Sequence, residues 1–126
     1  MIYNKEDGSG YFLNYLNFGL DILISEETHQ ILKFVLHSNF PIDTTFGTYE
    51  RSNFKIPLEH CDIEPNSNFR EIKQMISKSL TGQEVCSEEM ALENNISAKV
   101  KTLIYGFDGL LAEVYEDRVI VKVTLF

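Results

Sequence analysis

Apolar and polar positions alternate with a period of two along residues 11–18, 20–24 and 30–37, and again along residues 110–115 and 119–126. That spacing sends successive side chains to opposite faces, which marks a half-buried strand. Leu20, Ile22 and Ile24 share one face of the second run, and Leu32, Phe34 and Leu36 share one face of the third. Val119, Val121, Val123 and Leu125 do the same in the last. Gly19 interrupts the first two runs as a bulge or tight bend. Residues 25–28 read as a polar turn, and residues 107–109 and 116–118 join the closing strands, the first of which covers residues 101–105.

The period lengthens to that of a helix once. Phe69, Ile72, Ile76 and Leu80 recur at helical intervals behind Asn68, with Glu71 at capping-box spacing and Gly82 as the stop. A short strand ends at Pro57, which has no N–H to give a ladder. Residues 1–10, with Gly8-Ser9-Gly10, read as a flexible leader, and the glutamates at 84, 88, 89 and 93 read as a solvated loop or short exposed helix. Strands, helix, strands is therefore the order. It predicts a single α+β domain over residues 11–126, with a mostly antiparallel sheet of five to seven strands and one principal helix packed on one face.

A chain of 126 residues has room for one core, which buries roughly two thirds of the surface its unfolded form exposes. Composition changes the picture only through charge. Nineteen acidic against 11 basic side chains give a net charge of −8, and no stripe of Lys and Arg gathers anywhere. A nucleic-acid surface needs such a stripe to neutralise phosphates, and so does attraction to anionic lipid. Neither nucleic acid nor membrane is an expected direct partner. Cys61 and Cys86 lie in polar surroundings and form no disulfide framework, which fits two free thiols in a reducing, cytoplasmic setting. The first residues lack the apolar core of a signal peptide, and no apolar run approaches the ~18 residues of a span.

Candidate chemistry fails on geometry. His60 and Cys61 are neighbours, so in an extended segment they point to opposite faces and cannot act as thiol and base. His29 and His37 stand about 26 Å apart along an unbroken strand, too far for one metal ion. Asp21, between Leu20 and Ile22, should face away from the covered side of the sheet. Residues 106–109 have glycines but no helix behind them to complete a phosphate cradle. We therefore expect no catalytic residue, no metal site and no cofactor. Aromatic residues are more numerous than one small core needs. Phe40, Phe46 and Tyr49, in and beside the loop after Pro41, are the candidate protein-interaction residues.

A longer string of positions carries a resemblance. It comprises Phe18-Gly19-Leu20-Asp21-Ile22-Leu23, Thr28-His29, Lys33-Phe34-Val35-Leu36-His37-Ser38-Asn39-Phe40-Pro41, the aromatic loop at 46–51, Phe54-Lys55-Ile56-Pro57-Leu58, the hairpin at 109–114 and the closing Val123-Thr124-Leu125-Phe126. This string resembles the carboxy-terminal part of the phagosome assembly factor family, whose members are several times longer, so the chain reads either as a segment of a longer protein or as a divergent short relative. The resemblance implies a non-enzymatic scaffold or adaptor in autophagy, paired with a β-propeller protein at the forming autophagosome. Lipid contact would then belong largely to that partner, and the segment would reach autophagosomal membranes through it. The charge alone supports an alternative, a small acidic inhibitor or immunity-type domain that masks a basic partner.

The charge balance yields a direct expectation. At physiological salt the domain is expected not to sediment with phosphoinositide-containing liposomes. Saturable co-sedimentation would move lipid recognition onto this segment.

Overall fold

The computed structural model describes residues 2–6, 10–38, 47–80, 85–87 and 102–126. Four strands open the chain: β1 (Ile2–Glu6), β2 (Gly10–Tyr15), β3 (Leu20–Ser25) and β4 (Ile31–His37). A small hairpin, β5 (Ile56–Pro57) with β6 (Asp62–Ile63), precedes helix α1 (Phe69–Ser79). Then come β7 (Val85–Ser87), β8 (Thr102–Phe107), β9 (Leu110–Tyr115) and β10 (Val119–Leu125). The large sheet runs β1-β2-β3-β4-β10-β9-β8-β7, and every neighbouring pair is antiparallel.

The α+β class and the single principal helix are as the sequence predicts, and the sheet is wider. Among the described residues the large sheet has eight strands in place of five to seven, because two short segments join its edges. Ile2–Glu6 pairs with β2 from Ile2 opposite Asn14 to Glu6 opposite Gly10, so residues read as a leader contain a strand. Glycines before a strand signal a hairpin turn as readily as a flexible end. Val85–Ser87 pairs with β8 within the acidic stretch, whose remaining residues lie outside those described, as does Gly82.

Three adjacent registers set the faces. Leu20, Leu36 and Val123 follow one another across β3, β4 and β10, and Val123 meets Ala112 on β9. This face receives the helix. Phe69 and Ile76 are fully buried there, with Ile72 and Leu80 partly buried against the same cluster of Tyr105, Phe107, Leu110, Ala112, Val114, Ile120 and Val123. Spacings of three and four keep these four residues on one stripe. The Phe69 ring sits 4.8 Å from Tyr105 and 6.4 Å from Phe107, tilted against both. Ile63, Phe54, Ile56 and Leu58 from the small hairpin close the margin of the core.

The helix is placed from its amino end. The Asn68 side chain accepts the Arg70 N–H, and Asn68 bridges Val119 of β10. The Phe69 N–H, one of the helix's orphan donors, gives a 2.9 Å bond to the Arg118 carbonyl in the β9–β10 turn. That turn is tight enough to hold Glu116 and Asp117 at positive φ, 52° and 60°.

The joint between the halves is also pinned. β10 shifts register between Ile120 and Lys122, leaving Val121 as the extra residue of a bulge. The Ser38 hydroxyl, just past β4, reaches the Ile120 and Val121 carbonyls at 2.7 and 2.8 Å, and its N–H donates to Val121. Carbonyls that an interrupted ladder strands are thereby satisfied.

Phe69 is fully buried with its ring against Tyr105 and Phe107, so Phe69→Ala is expected to cost about 3–5 kcal/mol. Denaturant unfolding of the variant and its parent checks this.

Candidate functional site

Across the sheet from the helix lies a buried polar cluster, and its parts come from three strands and one loop. Asn14 of β2 is the register partner of Asp21 on β3, and Asp21 is the partner of Val35 on β4. His37, two residues on from Val35, therefore shares their face. Alternation puts all three opposite Leu20, Ile22 and Leu36.

The loop that completes the cluster is held by backbone bonds. Glu50 N–H donates to Leu16 at 2.7 Å, Ser52 N–H to His37 at 2.9 Å, and His37 N–H to Gly19 at 2.8 Å. Gly19 makes this close approach feasible. It sits in the left-handed region at φ 60°, and a Cβ there would lie 2.3 Å from the Glu50 carbonyl oxygen and 2.7 Å from the Ser52 nitrogen. The sequence expectation of a tight bend at Gly19 is met, and its reason is the loop packed on it.

Held in this way, Tyr49 reaches inward. Its ring stacks on His37 with centroids 4.0 Å apart and planes 14° from parallel, and its hydroxyl donates to Asp21 Oδ1. Asn14 Nδ2 donates to the same oxygen at 2.5 Å and lies 3.3 Å from the Tyr49 hydroxyl. His37 Nε2 stands 2.9 Å from Asp21 Oδ2. His37 and Tyr49 are 3% and 7% exposed. Burial pushes the Asp21 carboxyl up, but the hydrogen bonds from His37, Tyr49 and Asn14, with the charge of His37, outweigh it and hold the group below its ordinary value of 3.8. An ionised Asp21 requires a proton on His37 Nε2, which fixes that nitrogen as donor.

Three donors on one carboxylate suit a clamp. They hold β2, β3, β4 and the loop at 47–52 around one negative charge, and they leave Asp21 poorly suited to take a proton from a substrate. The polar row continues across the sheet: Lys122 on β10 is the register partner of His37, and the buried Glu113 on β9 is the partner of Lys122.

The sequence candidates fall out as follows. Tyr49 is buried inside the clamp, so its side chain is the loop's anchor, while Phe40 and Phe46 lie outside the described residues. His29 is exposed in the β3–β4 turn at φ 58°, and His37 ends β4. No group of three or more His, Cys, Asp or Glu that could hold a metal occurs among the described residues. Cys61 is a free, half-buried thiol, and burial with Asp62 beside it pushes it up, away from the thiolate form. A polar cleft of about 320 Å³ beside the loop has Arg51 and Lys55 on its wall. Arg51 donates to Asn66 at 2.6 Å and Lys55 pairs with Asp62 at 3.6 Å, both at the surface.

Sequence reasoning placed Asp21 away from the apolar face and stopped there. Asp21 and His37 each alternate with the apolar residues of their strands, a signal present in the sequence, whereas the side taken by Asn14 is set only by its pairing with Asp21.

Removing one donor from a buried charge is costly, so Tyr49→Phe is expected to lose about 1.5–3 kcal/mol. The carboxyl also sets an acid limb. Its folded value is depressed, so its contribution is complete above about 3.8 and falls away as pH drops through the lower folded value. Asp21→Asn is expected to lower stability at neutral pH and to flatten that limb. Thermal melts of parent and variants from pH 7 to about pH 2 measure both.

Comparison with known proteins gives this geometry its setting. The family model described as Phagosome assembly factor 1 matches residues 3–126. A PHAF1 protein of Arabidopsis thaliana is 31% identical over 125 residues, covering 92% of this chain and 29% of its own length. A PHAF1 protein of Caenorhabditis elegans is 29% identical over 118 residues, covering 92% and 27%, and one of Drosophila melanogaster 26% over 138 residues, covering 94% and 31%. The chain thus spans just under a third of the length of these relatives. No solved structure matches it significantly. The family match runs from β1 through the Asp21 clamp to the last residue of the sequence, and the chain belongs to the phagosome assembly factor family.

Proposed function

We propose that this chain is a non-enzymatic scaffold or adaptor module that takes part in autophagy through protein–protein interaction. The observation that carries the reading is the family match over residues 3–126, to a family named for assembly of the phagosome. The clamp is consistent with it. A buried carboxylate that gathers three strands and a loop fixes the shape of a surface, and a binding module needs a fixed surface more than a reactive group.

On this reading the loop after β4 is the first contact region. Tyr49 anchors its far end from inside, and Phe40 and Phe46 are the residues proposed to meet the partner. That partner is a β-propeller protein of the autophagy machinery, which would bring the segment to autophagosomal membranes from a cytoplasmic location. Among the described residues no helix is long and apolar enough to cross a membrane. The runner-up is an acidic inhibitor of a basic partner, favoured by the net charge of −8.

Co-purification of the tagged chain from its native cells tests the reading. A β-propeller protein is expected to enrich with the parent and to be lost with Phe40→Ala or Phe46→Ala at unchanged melting temperature. Enrichment of a basic hydrolase instead would establish the inhibitor reading.

A further inference from the structure

The loop at 47–52 lies beside the start of β3 and the end of β4 without joining the sheet. None of its six residues pairs in a ladder, and none belongs to the apolar cluster beneath α1. Gly47, Thr48, Glu50 and Arg51 are exposed, while Tyr49 and Ser52 are buried. Backbone bonds tie the loop at two points, from the Glu50 N–H to Leu16 at 2.7 Å and from the Ser52 N–H to His37 at 2.9 Å. One residue before the first of them, Tyr49 stacks on His37 and puts its hydroxyl on Asp21.

The sheet underneath is held by bonds that do not pass through this loop. β3 pairs with β2 from Leu20 to Ser25 and with β4 from Leu20 to Ile24. His37 is the register partner of Lys122 on β10, and its N–H donates to the Gly19 carbonyl. Asn14 and His37 reach Asp21 from the strands themselves, so the carboxylate keeps two of its three donors if Tyr49 leaves. A water molecule can take the third place. A segment with little buried apolar surface and with its backbone bonds near solvent opens at lower free energy than the ladders beside it.

We propose that residues 47–52 form a strap that opens as one unit on an intact sheet, with Tyr49 as its latch. The closed arrangement is the populated one. Opening uncovers the Asp21–His37 pair and releases the Leu16 and His37 carbonyls as acceptors. A partner that prefers one of the two states shifts the balance by its difference in affinity, which makes the strap a switchable part of the surface. The inference goes beyond the adaptor reading and stands without it.

Amide hydrogen exchange of the full chain, followed by NMR across a series of low denaturant concentrations, tests it. Exchange through local opening is insensitive to denaturant because little surface is exposed, whereas exchange through global unfolding speeds up with it. The Glu50 and Ser52 amides are expected to share one protection factor, about tenfold or more below that of the β3 and β4 ladder amides, and flat in denaturant. Tyr49→Phe keeps the ring and removes the hydroxyl, so it is expected to speed exchange at both amides by about tenfold or more, with the flat dependence retained. Asp21→Asn, which removes the charge that the hydroxyl meets, is expected to act on the same two amides. Equal protection and equal denaturant slope at strap and ladder overturn the proposal, because the strap then lets go only with the whole fold. Unequal protection at Glu50 and Ser52 also overturns it, since the loop then frays from one end. So does parental exchange at these amides in either variant, which would deny Tyr49 the part of latch.

Discussion

The pairing of β4 with β10 is the joint on which the rest of the structure depends. It aligns Phe34 with Leu125 and His37 with Lys122, residues separated by most of the chain. Without it the first meander and the closing hairpins are two separate curls of sheet, each with an extra raw edge. Closing so long a loop carries an entropic cost that grows only slowly with length, so apolar contact at the joint can offset it. Leu36 and Val123 supply part of that contact on the helix face. The bulge at Val121 and the Ser38 hydroxyl then hold the register, since a slip by one residue would turn Val123 out and Lys122 in.

The clamp stands on the opposite face of the same joint. His37 belongs to it through its ring and to β10 through its backbone register, so one residue serves both the charge cluster and the sheet. A buried carboxylate is a weak source of net stability, because desolvation cancels much of what its hydrogen bonds supply. Its effect is on uniqueness of structure. Only one placement of the loop at 47–52 brings a hydroxyl to Asp21 and a ring onto His37 together.

Period-two and helical patterning made most of this fold legible in the sequence. The turns at 25–28, 107–109 and 116–118, the bend at Gly19 and the cap at Asn68 all follow from local chemistry that one residue can announce. What local patterning could not announce depends on contacts far along the chain. β1 and β7 are strands because a neighbour offers them a ladder; Ile2–Glu6 and Val85–Ser87 are too short to declare themselves. The clamp was hidden for the same reason. Asn14, Asp21, His37 and Tyr49 are unremarkable one by one, and Tyr49 reads as a surface aromatic until the loop is seen folded over Gly19.

The dependence of α1 on the β9–β10 turn has a consequence for synthesis. The helix leaves the ribosome well before residues 116–118, yet its first free N–H is answered by Arg118 and its cap residue bridges Val119. During elongation the apolar stripe of Phe69, Ile72 and Ile76 therefore has neither its anchor nor the far side of its core. A nascent chain halted before the last hairpin would display that stripe to solvent. Pairing of β9 with β10 thus completes the burial of that stripe, and a chain halted before it would expose apolar surface of the kind that chaperones bind.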